Sequence, residues 1–154
     1  MLQLITLALA AFAAPIFSYC TEEDRVDVIA SNYYGPDYEP RQAIDGLSGT
    51  EWLLPDGTLG YIDLVLNRRR RIDGVEIING HNMQFMDRAI RKARVIVFDG
   101  SHELERHDIE LPGIEPDLTP RRVELGGHRA NRVRLEITEV AGNGAALAEI
   151  RILD

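Results

Sequence analysis

The sequence predicts an all-β jelly-roll sandwich of about eight short strands behind an apolar N-terminal segment. Three observations lead there. Apolar and polar residues alternate with period two in several stretches. The clearest is 132–137, where Val133, Leu135 and Ile137 share one face and Arg132, Arg134 and Glu136 the other. Turn formers such as Pro55-Asp56-Gly57 and Asp99-Gly100 fall between these stretches. Val, Ile and Leu are abundant, while the 13 Gly and 7 Pro are scattered rather than clustered.

Taken in order, the chain opens on residues 1–20, MLQLITLALAAFAAPIFSYC, which carry no charged side chain. Leu4, Leu7, Phe12, Ile16 and Phe17 make this stretch apolar enough, over nearly the ~20 residues a span needs, for a helical membrane anchor. Pro15 would kink or end that helix. A cleaved signal peptide is a second reading, although a basic n-region is missing. Lipid attachment at Cys20 is a third, although Tyr19 stands where a small residue is expected. The acidic Glu22, Glu23 and Asp24 that follow leave the rest of the chain free to cross. The expectation is therefore an extracytoplasmic protein, anchored or secreted, on the periplasmic side of a bacterial membrane.

Residues 21–154 form the expected single domain. Strands are expected at 26–30, 61–66, 72–79, 93–98, 107–111, 121–125, 132–137 and 148–153. Segments 31–41 and 46–60 are loops, 67–71 is a charged turn, and 80–92 is a long loop or short helix. Trp52 belongs to the core.

Composition excludes several functions. The net charge of −8 argues against nucleic acid or an anionic membrane surface as the main partner. A single Cys leaves no internal disulfide and no cysteine-based metal site. His102 and His107 are five residues apart, so they do not share a helix face as a zinc-protease pair would. No Gly-x-Ser-x-Gly elbow or phosphate loop is present. A non-catalytic chain is expected. Asp45, Thr50 and the backbone between them offer the hard oxygens that calcium prefers, or else simply close a turn on themselves. Arg68–Arg71 with Arg88, Arg91, Lys92 and Arg94 make either one basic patch or separate solvated positions. Met83, Phe85 and Met86 either tuck under their loop or form a contact surface.

The segment Ala43-Ile44-Asp45-Gly46-Leu47-Ser48-Gly49-Thr50-Glu51-Trp52, the strand after Gly60 and the closing Leu147-Ala148-Glu149-Ile150 resemble the discoidin family. These are the coagulation-factor type C domains among the galactose-binding-like β-sandwiches. From 43 to 152 the chain is most similar to the glycan-binding domain attached to some bacterial NAD glycohydrolases. The resemblance implies a carbohydrate-binding module whose ligand sits among loops at one end. The matching loops are 32–39, 53–60 and 80–88. They bring Tyr33, Tyr34, Tyr38, His81, Asn82 and Arg88 as candidate ligand residues. It also implies a structural calcium held by Asp45, Thr50 and Glu149, with Leu47 standing where an oxygen-bearing residue is usual. Two functions follow: a module that binds a glycan, or an accessory subunit of a membrane complex, anchored by its N-terminus and docking through the sandwich.

Overall fold

Alternation sets the first pairing. The computed structural model describes residues 25–115 and 118–154. The apolar segment 1–20, with its anchor candidates Leu4, Leu7, Phe12, Ile16 and Phe17, lies outside them. Strand β1 (Val26–Ala30) runs antiparallel to the start of β3 (Tyr61–Asn79), with Val28 opposite Leu64. The remaining strands are β2 (Trp52–Leu53), β4 (Arg88–Asp99), β5 (His102–Glu110), β6 (Arg121–Gly142) and β7 (Ala146–Leu153). All seven are antiparallel to their neighbours. Two short 3-10 turns, Pro36–Tyr38 and Pro40–Ile44, fill much of the first loop, each opened by a proline that presets its backbone angle.

Two long strands organise the rest. β3 and β6 pair over most of their length, but β3 exchanges its other neighbour midway and β6 gains one only in its second half. β3 meets β1 through 62–66 and β7 through 74–79, and β6 meets β4 only through 132–142. The change falls at a register shift between Val65 and Arg70, where five steps along β3 face two along β6. A bulge of that kind bends a strand and sharpens its twist. The sheet thereby folds into two layers, β1-β3-β6-β4-β5 and β2-β7-β3-β6. Ile62, Leu64 and Val133 from one layer and Val75, Ile77 and Ile150 from the other share a single apolar core. Each such side chain, fully buried, contributes about 1.5–3 kcal/mol.

Several expected boundaries move. Residues 67–71 are not a turn between two strands; they lie within β3, across the bulge. The expected strands at 121–125 and 132–137 are likewise one element, β6. Strand β4 begins at Arg88, so the long loop is shorter than expected, and β5 begins at His102 rather than at the expected 107. The single basic patch does not form. Arg69 pairs with Asp99, Arg71 with Asp73 at 2.6 Å, Lys92 with Glu139 at 2.9 Å and Arg94 with Asp108 at 3.1 Å. The arginines are spread along two strands and find carboxylates on their neighbours.

The outer face of the first layer carries a buried charge. Asp63 faces Arg134 directly across the ladder and accepts two bonds from its guanidinium, at 2.7 and 2.8 Å. Arg134 lies 3.7 Å from the Tyr61 ring centroid and Arg132 lies 4.2 Å from that of Phe98. The stacked guanidinium groups cover Asp63, leaving it 3% exposed.

Candidate functional site

Trp52 anchors one end of the molecule. Its indole is fully buried and its Nε1 donates to the Asn32 carbonyl at 3.0 Å. That anchor aims the preceding side chain, Glu51, into loop 80–87. The Glu51 carboxylate accepts three backbone N–H groups: His81 at 2.8 Å and Asn82 at 3.1 Å on Oε1, and Met83 at 3.2 Å on Oε2. Asn82 and Met86 adopt the left-handed region, at φ 57 and 52, and the Phe85 and Met86 amides both donate to the Asn82 carbonyl. Gly80 lets the loop start flush against β7, since a Cβ there would lie 2.6 Å from the Ala146 carbonyl carbon. So pinned, the loop turns Met83 and Phe85 outward, 52% and 64% exposed. They form a surface rather than tucking underneath.

Arg88 ties the next loop to this one. Its Nη1 donates to the Leu54 carbonyl at 3.0 Å, its Nη2 to Asp56 Oδ1 at 2.8 Å and its Nε to Asp87 Oδ1 at 3.3 Å. Burial works against the Arg88 charge, but the bonds to Asp87 and Asp56 outweigh it and raise its pKa. Burial would also push the Asp87 carboxyl up; hydrogen bonds from Asn82, Arg88 and Asn143 overcome this and hold it below the usual carboxylate range.

The Tyr34 ring sits 5.0 Å from the Arg88 guanidinium and meets Tyr38 edge to face at 6.0 Å. Together with Asp56, Asn82 and Phe85 these residues line a cleft of about 230 Å³. A second cleft of about 190 Å³ adjoins it, lined by Asp37, Gln42, Thr50, Glu51, Met83 and Gln84, and sharing Tyr38 and Asn82. A larger depression of about 560 Å³, between Ile109 and Val123, has no aromatic side chain in its lining.

Of the expected ligand residues, the fold brings Tyr34, Tyr38, Asn82 and Arg88 together at the first cleft. Tyr33 is exposed but lines neither cleft. His81 is 4% exposed, lines neither, and has its Nδ1 3.7 Å from Glu51 Oε1. Glu51, Asp56 and Asp87 were not anticipated. Only the Pro55-Asp56-Gly57 turn signal marked one of them.

Asp45, Thr50 and Glu149 meet beside the second cleft, which Thr50 also lines. The Thr50 hydroxyl donates to Asp45 Oδ2 at 2.7 Å, and the Gly46 amide donates to Glu149 Oε2 at 3.1 Å. Burial pushes the Glu149 carboxyl from its ordinary 4.5 up to about 7; the Asp45 charge adds to this and the Gly46 bond opposes it. Among the described residues no group of three or more His, Cys, Asp and Glu is placed to hold a metal ion, so any cation there must take backbone oxygens as well.

The cleft is chemically suited to holding a ligand. Glu51 and Asp87 are committed to loop backbone and to Asn82, Arg88 and Asn143. Asp87, with its depressed pKa, is a poor proton donor. The aromatic rings and Phe85 present the flat apolar faces on which sugar C–H surfaces stack, beside amide and carboxylate groups that fix hydroxyls.

The sequence matches no family model and no curated protein sequence. Solved structures do share the fold. The F5/8 type C domain of a Bacteroides fragilis protein is 18% identical, with a TM-score of 0.66 over 82% of this chain and 89% of that one. The lectin domain of lectinolysin, complexed with Lewis B antigen, is 15% identical, with a TM-score of 0.66 over 86% and 94%. A chitosan-binding module from a Paenibacillus sp. IK-5 chitosanase/glucanase, in complex with chitotriose, is 17% identical, with a TM-score of 0.66 over 86% and 99%. The described chain therefore has the discoidin-like fold common to F5/8 type C domains and carbohydrate-binding modules.

Proposed function

We propose that this discoidin-like chain is a non-catalytic binding module that takes a glycan into the paired clefts at its loop end. The observation that carries the reading is the pinned loop 80–87. Glu51 and Arg88 fix it so that Phe85, Tyr34 and Tyr38 surround a concavity with polar groups at its floor. A rigid, aromatic-lined cleft loses little entropy when a sugar enters. The glycan-bound neighbours of the same fold support the reading.

The module acts outside the cytoplasm, tethered or released according to the fate of residues 1–20; this part rests on the sequence of that segment. A calcium ion in the loop beside the second cleft, on Asp45 and Glu149 with the Thr50 hydroxyl and nearby carbonyls, would join that loop to β7. The raised Glu149 pKa supports it, since such a carboxyl gains most from a neighbouring cation.

The test is a glycan array probed with the full chain, followed by calorimetry on the hits. Binding that falls at least tenfold in Tyr34→Ala and Phe85→Ala supports the assignment. If no glycan binds, and the chain extracted from its membrane in mild detergent runs in fixed stoichiometry with other subunits, the loop surface is a protein contact and the assignment fails.

A further inference from the structure

The charge of the paired clefts selects among sugars. Four carboxylates line them, Asp37, Glu51, Asp56 and Asp87, against one cation, Arg88. Two of the four are spent. Glu51 is 5% exposed under three backbone amides, and both oxygens of Asp87 are bonded. Arg88 is spent as well: the residue is 4% exposed and its guanidinium is shared between Asp56, Asp87 and the Leu54 carbonyl. The other two carboxylates face outward. Asp56 has its side chain 60% exposed and offers only Oδ1 to Arg88. Asp37 is exposed and has no hydrogen bond or ion pair among the described residues. One of these two carboxylates lines each cleft, and Tyr38 and Asn82 stand between them as a shared wall.

We propose that the two clefts are adjoining subsites for consecutive units of a cationic glycan, an oligosaccharide of sugars bearing free protonated amines. Each ring stacks at the aromatic or thioether rim, on Tyr34 and Phe85 in one cleft and on Met83 and Tyr38 in the other. Each ammonium group meets one outward-facing carboxylate, Asp56 through its Oδ2 or Asp37. Uronic acids are excluded, because no cation remains available to pair with them and the whole domain is acidic. The inference rests on the glycan-binding reading and narrows it to a substrate class.

The probes are a fully deacetylated β-1,4-glucosamine trisaccharide, its N-acetylated counterpart and a trigalacturonate. Each is titrated calorimetrically into the full chain at a pH that keeps the amines protonated. The deacetylated trisaccharide binds roughly tenfold tighter than the acetylated one, and the uronate does not bind. Asp56→Asn and Asp37→Asn each weaken the amino sugar by roughly fivefold and the acetylated sugar by clearly less, so the ratio between the two sugars falls. Glu124→Gln, which removes a carboxylate far from the clefts, changes neither. Added salt narrows the difference between the two sugars. Equal or tighter binding of the acetylated sugar, unmoved by Asp56→Asn, overturns the charge assignment and leaves glycan binding standing. Binding of none of the three, together with an empty glycan array, overturns both.

Discussion

The carboxylate of Glu51 lies 3.1 Å from the backbone nitrogen of Asn82, across 31 residues of chain. Asn82 is held in a left-handed conformation, at φ 57, at the wall shared by the two clefts. One buried acid, positioned by Trp52, therefore sets the shape of the candidate site without lining much of it.

Replacing Glu51 by Ala leaves three loop amides without their acceptor. Each buried unmet donor costs about 1–3 kcal/mol, and relaxation of the loop into water recovers part of that. The expected loss is about 2–4 kcal/mol in urea unfolding. Amide exchange at His81, Asn82 and Met83 should rise further than in the core strands. Unchanged protection at those three amides would show that the loop holds itself.

Phe85 is the opposite case. It is 64% exposed, so Phe85→Ala should change stability by no more than about 0.5 kcal/mol. Affinity for a bound glycan should still fall about tenfold, equivalent to about 1.4 kcal/mol. Calorimetry paired with thermal melts separates the two effects.

The Glu149 carboxyl makes stability depend on pH. Its folded pKa, about 7, lies above its ordinary 4.5. The folded state therefore holds the proton more tightly than the unfolded state does. Its contribution is full below pH 4.5 and is lost as pH rises through 7. The melting temperature should drop across that window, and Glu149→Gln should flatten the drop. Millimolar calcium at pH 7.5 should restore the lost stability in the parent but not in Glu149→Gln, as expected for a ligand that binds only the folded state. A calcium response that survives Glu149→Gln would move the ion elsewhere.

Asp63→Ala should be among the most damaging surface-layer changes. It strands two guanidinium groups, Arg132 and Arg134, over aromatic rings on the outer face. Breaking a buried ion pair costs about 3 kcal/mol or more, and the partial exposure of both arginines keeps the loss near the lower end. Asp63→Asn, which retains acceptor capacity, should recover about half. Equilibrium urea unfolding of the two variants distinguishes charge from hydrogen bonding.

Much of the framework was legible one strand at a time. The alternation of Ile62, Leu64 and Leu66, and of Val133, Leu135 and Ile137, placed those residues in the core, where they lie. Trp52 was read as core and is fully buried. The misreadings share a cause. The four arginines at 68–71 and the Gly126-Gly127 pair look like breaks, because neither shows a buried face. In the fold the rungs on either side carry β3 and β6 through them: Arg70 and Arg71 pair with Ala130 and Arg129, and Gly74 with Glu124, while Gly126 and Gly127 fall in a second register shift between these rungs. Pairing between distant segments overrides local preference there.

By itself the sequence determined the all-β class, the period-two alternation and the core residues of the alternating strands, because these depend on side-chain type at fixed local spacing. The discoidin resemblance, not the spacing, indicated which loops would gather at one end. Only the tertiary structure decided which loop residues line the clefts. Tyr33 and Tyr34 are adjacent and chemically identical, yet one lines the cleft and the other does not. His81 and Arg88 both looked like ligand donors, and both are buried; Arg88 spends its bonds fastening two loops together. The reason is geometric. Whether a polar side chain serves the ligand or the scaffold depends on which distant acceptors come within about 3 Å of it. That distance is set by the whole sandwich.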